Sequence, residues 1–295
     1  MSPLHIWLMA ARPRTLPAAV APVLVGTALA ATEGTFRPLT FVAAMLGSVF
    51  IQVGTNLSND YSDARRGADT EDRLGPVRVT AGGLVPPRQV LVATYVAFGL
   101  AVVAGAYLIA TAGWELLLVG AASILAGVLY TGGPRPYGYE GLGEVFVFLF
   151  FGVVAVTGSY FAQTEQLTWE AFVLAVPVGL LAAAILVVNN VRDLETDRRA
   201  GKRTLAVRLG RARARGLYAA MVYVAFACAL LPWLLGSEEL SAWLALALVA
   251  LPLAVPVVTI VRSRTDGPSL NGALARTGML QLVFCALLSA GILAS

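Results

Sequence analysis

The chain has 295 residues, of which 58% are hydrophobic and only 13% charged, with a mean hydropathy of +0.77. That balance excludes an ordinary soluble domain. A single histidine, His5, excludes a histidine-based metal centre, and two cysteines inside apolar runs, Cys228 and Cys285, exclude a disulfide framework.

The apolar residues come in runs of roughly 18–22, the length needed to cross about 30 Å of hydrocarbon at 1.5 Å per residue. A short segment around Trp7 precedes them and suits the membrane interface. The runs lie at about 15–32, 39–58, 89–111, 114–130, 143–162, 170–190, 214–236, 240–261 and 276–294, which predicts about nine transmembrane helices and an all-α, polytopic membrane protein. The first follows Arg12 and Arg14 but is too long for a signal-peptide core, so it is expected to be retained.

Charge placement supports this count. If the predicted helices alternate, all 21 Lys and Arg residues except Arg37 fall on one side. Glu33, Glu115, Glu165, Glu170, Glu238 and Glu239 fall on the other. The positive-inside rule then puts the N-terminus in the cytoplasm and the C-terminus outside. The same pattern makes the net charge of +4 a topology signal, so no nucleic-acid partner is expected.

The second predicted helix ends in Asn56-Leu-Ser-Asn59-Asp60-Tyr-Ser-Asp63, and the sixth in Asn189-Asn190-Val-Arg192-Asp193-Leu-Glu-Thr-Asp197. Both clusters emerge on the cationic side, four helices apart, which hints at an internal repeat. Carboxylates at the end of a span are expensive and mark function. In the first cluster Asn56, Asn59, Asp60 and Asp63 repeat at i, i+3, i+4 and i+7, one helical face. Asn189 or Asn190 with Asp193 and Asp197 repeats the arrangement. Two opposed faces of hard oxygen donors suit Mg²⁺ bridging a diphosphate.

Cations flank both clusters: Arg65, Arg66, Arg73 and Arg78 after the first, and Arg192, Arg198, Arg199, Lys202 and Arg203 around the second. Such groups neutralise a departing diphosphate, although topology alone also places cations there. The stretch Tyr130-Thr-Gly-Gly-Pro-Arg135-Pro-Tyr137-Gly-Tyr139-Glu-Gly-Leu-Gly-Glu144 is a Gly/Pro-rich loop on the same side, and its aromatics suit a lid over a flat ring or a carbocation. Ala200-Gly201-Lys202-Arg203-Thr204 only superficially resembles a P-loop, because Thr196 and Arg203 stand where that pattern needs Gly and Ser or Thr.

Four segments together carry a resemblance: Ala11-Arg-Pro-Arg-Thr-Leu-Pro17, Asn56 through Arg78, Tyr130 through Glu144, and Asn189 through Gly210. On these the chain resembles the UbiA superfamily of membrane prenyltransferases over nearly its whole length, and is most similar to the branch that prenylates 1,4-dihydroxy-2-naphthoate. The resemblance implies one prenyltransferase domain over residues 1–295, with helices around a central cavity and dependence on Mg²⁺. It also implies a multi-pass protein of the cell membrane that transfers a polyprenyl group from polyprenyl diphosphate to 1,4-dihydroxy-2-naphthoate, with loss of CO₂, giving a demethylmenaquinone. By the same resemblance, Asp60, Asp63, Asp193 and Asp197 are the catalytic metal-binding carboxylates, with Asn56, Asn59 and Asn190 beside them. Arg73, Arg78, Arg135 and Lys202 bind the diphosphate, and Tyr130, Tyr137 and Tyr139 face the acceptor or form the lid. One departure is that the superfamily's third Asp of the first motif is Gly67 here, with Asp69 two residues later. Rival readings are the same chemistry on 4-hydroxybenzoate or homogentisate, or a transporter of an anionic or phosphorylated solute. A transporter would place charges at the midplane rather than at one face.

Overall fold

The computed structural model describes residues 2–68 and 74–295; Asp69 and Arg73 lie outside the described residues. Helices α1 (Pro3–Ala11) and α2 (Pro17–Thr32) are joined by a tight turn and bend 51° from one another. Then follow α3 (Pro38–Arg65), α4 (Pro87–Ala112), α5 (Glu115–Leu129) and α6 (Gly143–Val147). A π-helical segment, Phe148–Val154, links α6 to α7 (Ala155–Thr164), so that Gly143–Thr164 forms one rod. The remaining helices are α8 (Trp169–Arg192), α9 (Leu194–Arg199), α10 (Leu205–Leu209), α11 (Arg211–Cys228), α12 (Leu231–Leu234), α13 (Leu251–Ser263, preceded by 3₁₀ turns over Ala242–Ala250) and α14 (Gly267–Leu293). No strand occurs among the described residues.

Proline opens α1, α2, α3, α4, α12, α13 and α14. It suits the first helical turn because its missing N–H is one the helix leaves unpaired anyway. Asp266 caps α14 by accepting from Ser269 N at 2.8 Å.

The predicted spans fall on helical structure, with 214–236 divided between α11 and α12 and 240–261 between 3₁₀ turns and α13. Length and hydropathy alone qualify six among the described residues, or seven if the bent α1–α2 pair is one span. The shortfall has local causes. Helix α5 has only 15 residues, and α11 begins with Arg211, Arg213 and Arg215 and ends at Cys228.

Helix α8 is the central rod: 72% of its most apolar stretch is buried, against 22% in α4. It packs on α11, α14 and the π segment, while α2 lies between α7 and α14. The crossing with the π segment is tight. A Cβ on Gly152 would stand 2.6 Å from Gly179 Cα, so only glycine lets the two backbones approach. At the rim, α4 and α5 turn Val92, Tyr95, Val103, Leu117 and Leu118 outward, an apolar surface fit for lipid.

Contacts sort the loops to two ends. At one end Arg37 donates to Thr111 O and pairs with Glu165, and Ser237 donates to Glu170. At the other, Arg66 reaches Gly133 O, Arg208 pairs with Glu140, and Asn271 donates to Leu74 O. The cation-rich loops gather at this second end, where α3 and α8 deliver their polar termini.

Candidate active site

A cavity of about 750 Å³ opens at the cationic end and runs between α3, α4, α5, α7 and α8. Its depth is lined by apolar and small residues such as Ile51, Leu108, Leu116 and Phe150, and its mouth by both polar clusters. Helix α3 continues unbroken to Arg65, carrying Asn56, Asn59 and Asp63 onto the cavity wall. Across the mouth α8 supplies Asn189 and Asn190, the turn at its end supplies Asp193, and α9 supplies Asp197.

Asp63 is the hub. Its Oδ1 accepts the Tyr139 hydroxyl at 2.7 Å, and its Oδ2 lies 3.2 Å from Lys202 Nζ and 3.8 Å from the Arg78 guanidinium. Lys202 also lies 4.8 Å over the Tyr139 ring, a cation–π contact that fixes both groups. Asn59 Oδ1 accepts from Thr131 Oγ1 at 2.9 Å, which ties α3 to the loop after α5.

Asp60 is placed differently from the other three residues of the first cluster. It is 2% exposed and does not line the cavity. Val79 and Thr80 donate their backbone N–H groups to its two carboxylate oxygens at 3.1 and 2.9 Å. The carboxylate thereby anchors the loop that carries Arg78 toward Asp63.

On the other wall Arg192 is 2% exposed and grips both oxygens of Asp193, at 2.8 and 2.6 Å. Its remaining donors reach Asn189 Oδ1 and Asn271 Oδ1, and Asn271 in turn holds Leu74 O at 3.0 Å. Asn190 Nδ2 donates to Glu144 at 2.9 Å, and the second Glu144 oxygen is buried without a hydrogen-bond partner.

Of the predicted lid tyrosines, Tyr130, Tyr137 and Tyr139 all line the cavity. Tyr137 stacks 4.0 Å from Phe146 and donates to Ala126 O at 2.8 Å. Burial pushes its phenol well above the ordinary range, so it remains a neutral donor. Arg135, expected at the diphosphate, is exposed and outside the cavity lining, because the Gly133 turn (φ +73°) and the flanking prolines carry it outward. Arg73 lies outside the described residues.

Four contributors were not singled out from sequence: Arg12, Thr15 and Gln52 line the cavity, and Glu144 holds Asn190. Gln52 stands one turn before Asn56 inside an apolar span, and Glu144 opens another span, so both carried a readable signal. Arg12 has a left-handed backbone (φ 54°) at the elbow between α1 and α2, strain typical of a constrained functional position.

The donor set fits a hard divalent cation. The side chains at the mouth offer carboxylate and amide oxygens, with no thiolate or imidazole. Among the described residues no three acidic, Cys or His side chains converge on one point. Mg²⁺ is typically held by one or two carboxylates plus phosphate oxygens and water, and oxygen donors of the kind at this mouth suit it.

A family model described as the UbiA prenyltransferase family matches residues 19–290. The 1,4-dihydroxy-2-naphthoate octaprenyltransferase of Mycobacterium leprae is 44% identical over 94% of this chain and 92% of its own length. The enzyme of the same name from Escherichia coli is 39% identical over 92% of this chain and 89% of its own. Among solved structures, a UbiA homologue from Archaeoglobus fulgidus bound to GPP and Mg²⁺ superposes with a TM-score of 0.66 at 18% identity, over 98% of this chain and all of that one. At that identity the likeness is one of fold.

Proposed function

The chain belongs to the UbiA prenyltransferase family, and from that premise we propose that it transfers a polyprenyl group from polyprenyl diphosphate to 1,4-dihydroxy-2-naphthoate, with loss of CO₂. The observation that carries this reading is the cavity's division into an acidic, amide- and cation-bearing mouth and an apolar depth. A diphosphate suits the first and an isoprenoid chain the second.

Asp63, Asp193 and Asp197, with Asn56, Asn59 and Asn190, are the residues that would hold Mg²⁺. When bound, Mg²⁺ neutralises the diphosphate and makes it a better leaving group. Lys202 and Arg78, already beside Asp63, supply further positive charge as the allylic C–O bond ionises and the electron pair departs with the diphosphate. The apolar wall excludes water from the allylic cation, and Tyr130 and Tyr137 present aromatic rings to the same space. The electron-rich ring attacks through its carboxyl-bearing carbon. The new C–C bond forms there, and the ring regains aromaticity as the C–CO₂⁻ bond breaks and CO₂ leaves. The product is the quinol form of a demethylmenaquinone. Asp60 keeps an indirect part, holding the Arg78 loop. The positive-inside rule assigns the mouth and the N-terminus to the cytoplasmic face of the cell membrane.

The test is prenyl transfer by the purified protein in detergent, with Mg²⁺ or with EDTA, offering dihydroxynaphthoate and 4-hydroxybenzoate in parallel. The expected result is Mg²⁺-dependent product and CO₂ from the naphthoate alone. Product from the benzoate instead would keep the chemistry and move the acceptor.

A further inference from the structure

Gln52 lies one helical turn before Asn56 on α3, about 6 Å deeper along the helix. It lines the cavity although its side chain is nearly buried. One hydroxyl orients both amides: Thr15 Oγ1 accepts from Gln52 Nε2 at 3.1 Å and from Asn56 Nδ2 at 3.2 Å. Thr15 itself donates to Arg12 O at 3.0 Å, so its proton is committed and its lone pairs serve the two amides. With both NH₂ groups turned to Thr15, the carbonyl oxygens Gln52 Oε1 and Asn56 Oδ1 are directed elsewhere. Among the described residues neither accepts a protein hydrogen bond, and neither is sealed from the cavity.

Asn56 Oδ1 belongs with the donors at the mouth. Gln52 Oε1 sits deeper, on a stretch of α3 wall shared with Gly47, Ser48, Ile51 and Thr55, where Ser48 already donates its hydroxyl to Ala19 O at 2.7 Å. A fixed carbonyl oxygen there accepts and never donates. It is indifferent to an isoprenoid tail, and it repels diphosphate and carboxylate oxygens. Of the ligands in the proposed reaction, only a ring hydroxyl of the aromatic acceptor brings the proton it needs.

We propose that Gln52 Oε1 accepts a hydrogen bond from one hydroxyl of the acceptor, registering the ring against the diphosphate end and selecting hydroxylated acceptors. The inference rests on the proposed acceptor class, and it makes Gln52 a specificity-determining residue. An acceptor lacking the contacted hydroxyl leaves the buried carbonyl unpaired, a loss on the order of ten- to a hundredfold in affinity.

The test measures the affinity of the wild type and of Gln52→Leu for 1,4-dihydroxy-2-naphthoate, 1-hydroxy-2-naphthoate and 4-hydroxy-2-naphthoate. The monohydroxy compounds are read as inhibitors of transfer to the diol. In the wild type one monohydroxy analogue should bind ten- to a hundredfold more weakly than the diol. Gln52→Leu should weaken the diol and the other analogue by that factor, leave the weak analogue unchanged, and leave the KM for prenyl diphosphate within twofold. Equal weakening of all three ring compounds, no weakening at all, or a shifted diphosphate KM overturns the inference. If Gln52→Leu does not fold, Gln52→Met carries the same comparison. Turnover of the diol by the wild type separately tests the acceptor reading, so the two failures are distinguishable.

Discussion

Tyr139 donates its hydroxyl to Asp63 at 2.7 Å across 76 residues of chain, joining the loop after α5 to the polar end of α3. The same carboxylate holds Lys202 on its second oxygen, and Lys202 rests over the Tyr139 ring. Tyr139→Phe keeps the ring and deletes the hydrogen bond. A hydrogen bond to a charged group contributes about 1.5–3 kcal/mol, so kcat/KM should fall on the order of tenfold to a hundredfold. Tyr139→Ala also removes the surface under Lys202 and should fall further. Steady-state transfer by both variants checks the order, and a Tyr139→Phe enzyme as active as the wild type would dissolve the assignment.

Asp60 and Asp63, three residues apart, should fail in different ways. Asp60→Asn places an NH₂ where one of the Val79 and Thr80 amides needs an acceptor, costing about 1–3 kcal/mol of stability. Activity should fall with it as Arg78 loses its station. Asp63→Asn faces the Tyr139 hydroxyl, which can turn to accept from the new NH₂, and keeps an oxygen toward Lys202. It should therefore lose less stability than Asp60→Asn while losing most turnover. Thermal unfolding in detergent beside turnover separates the two. Identical unfolding of both variants would mean that the loop does not depend on Asp60.

The positions of the helices, the end at which the charges gather and the two oxygen-rich clusters were legible because periodicity and charge are local properties. The division of labour within a cluster was not. At 3.6 residues per turn, Asn59 and Asp63 lie about 60° and 20° to one side of Asn56, and Asp60 about 40° to the other. That difference turns Asp60 to the 79–80 backbone instead of the cavity. Spacing alone made these one face. The partners of Arg192 and Asn190 were equally hidden, since Asn271 and Glu144 come from distant helices that meet only in the folded bundle. The placement of Arg135, exposed and outside the cavity lining, was hidden as well, because where a loop cation stands depends on which way the turn carries it.

The crossing of Gly152 and Gly179 should be intolerant of volume. A Cβ at either position meets backbone of the other rod, at 2.6 Å from Gly179 Cα in one case and 2.9 Å from Phe148 O in the other. Backbone cannot rotate away as a long side chain can, so Gly152→Ala should cost about 1–3 kcal/mol. Gly105, which also lines the cavity, has nothing within 4 Å of its added Cβ. Gly105→Ala should therefore leave the unfolding temperature nearly unchanged. Comparing the two unfolding temperatures tests the packing reading, and equal shifts would refute it.

Arg192 and Asp193 form an ion pair in which both side chains are almost wholly buried, 2.6 Å apart at closest approach. Removing one partner of such a pair strands the other charge, a loss of about 3–5 kcal/mol. Arg192→Met should accordingly lower stability sharply. Arg192→Lys keeps the charge but not the planar fork that reaches both Asp193 oxygens, Asn189 and Asn271 together. It should be milder in stability yet still impair turnover, because Asp193 and Asn189 lose their orientation at the cavity mouth. The combined Arg192→Met, Asp193→Leu protein leaves no stranded charge and should regain much of the lost stability while remaining inactive. Unfolding and turnover of the three proteins decide the matter. If the double variant is no more stable than Arg192→Met alone, the cost lies in Asn189, Asn271 and the Leu74 contact beyond it, and the ion pair is not what holds this wall in place.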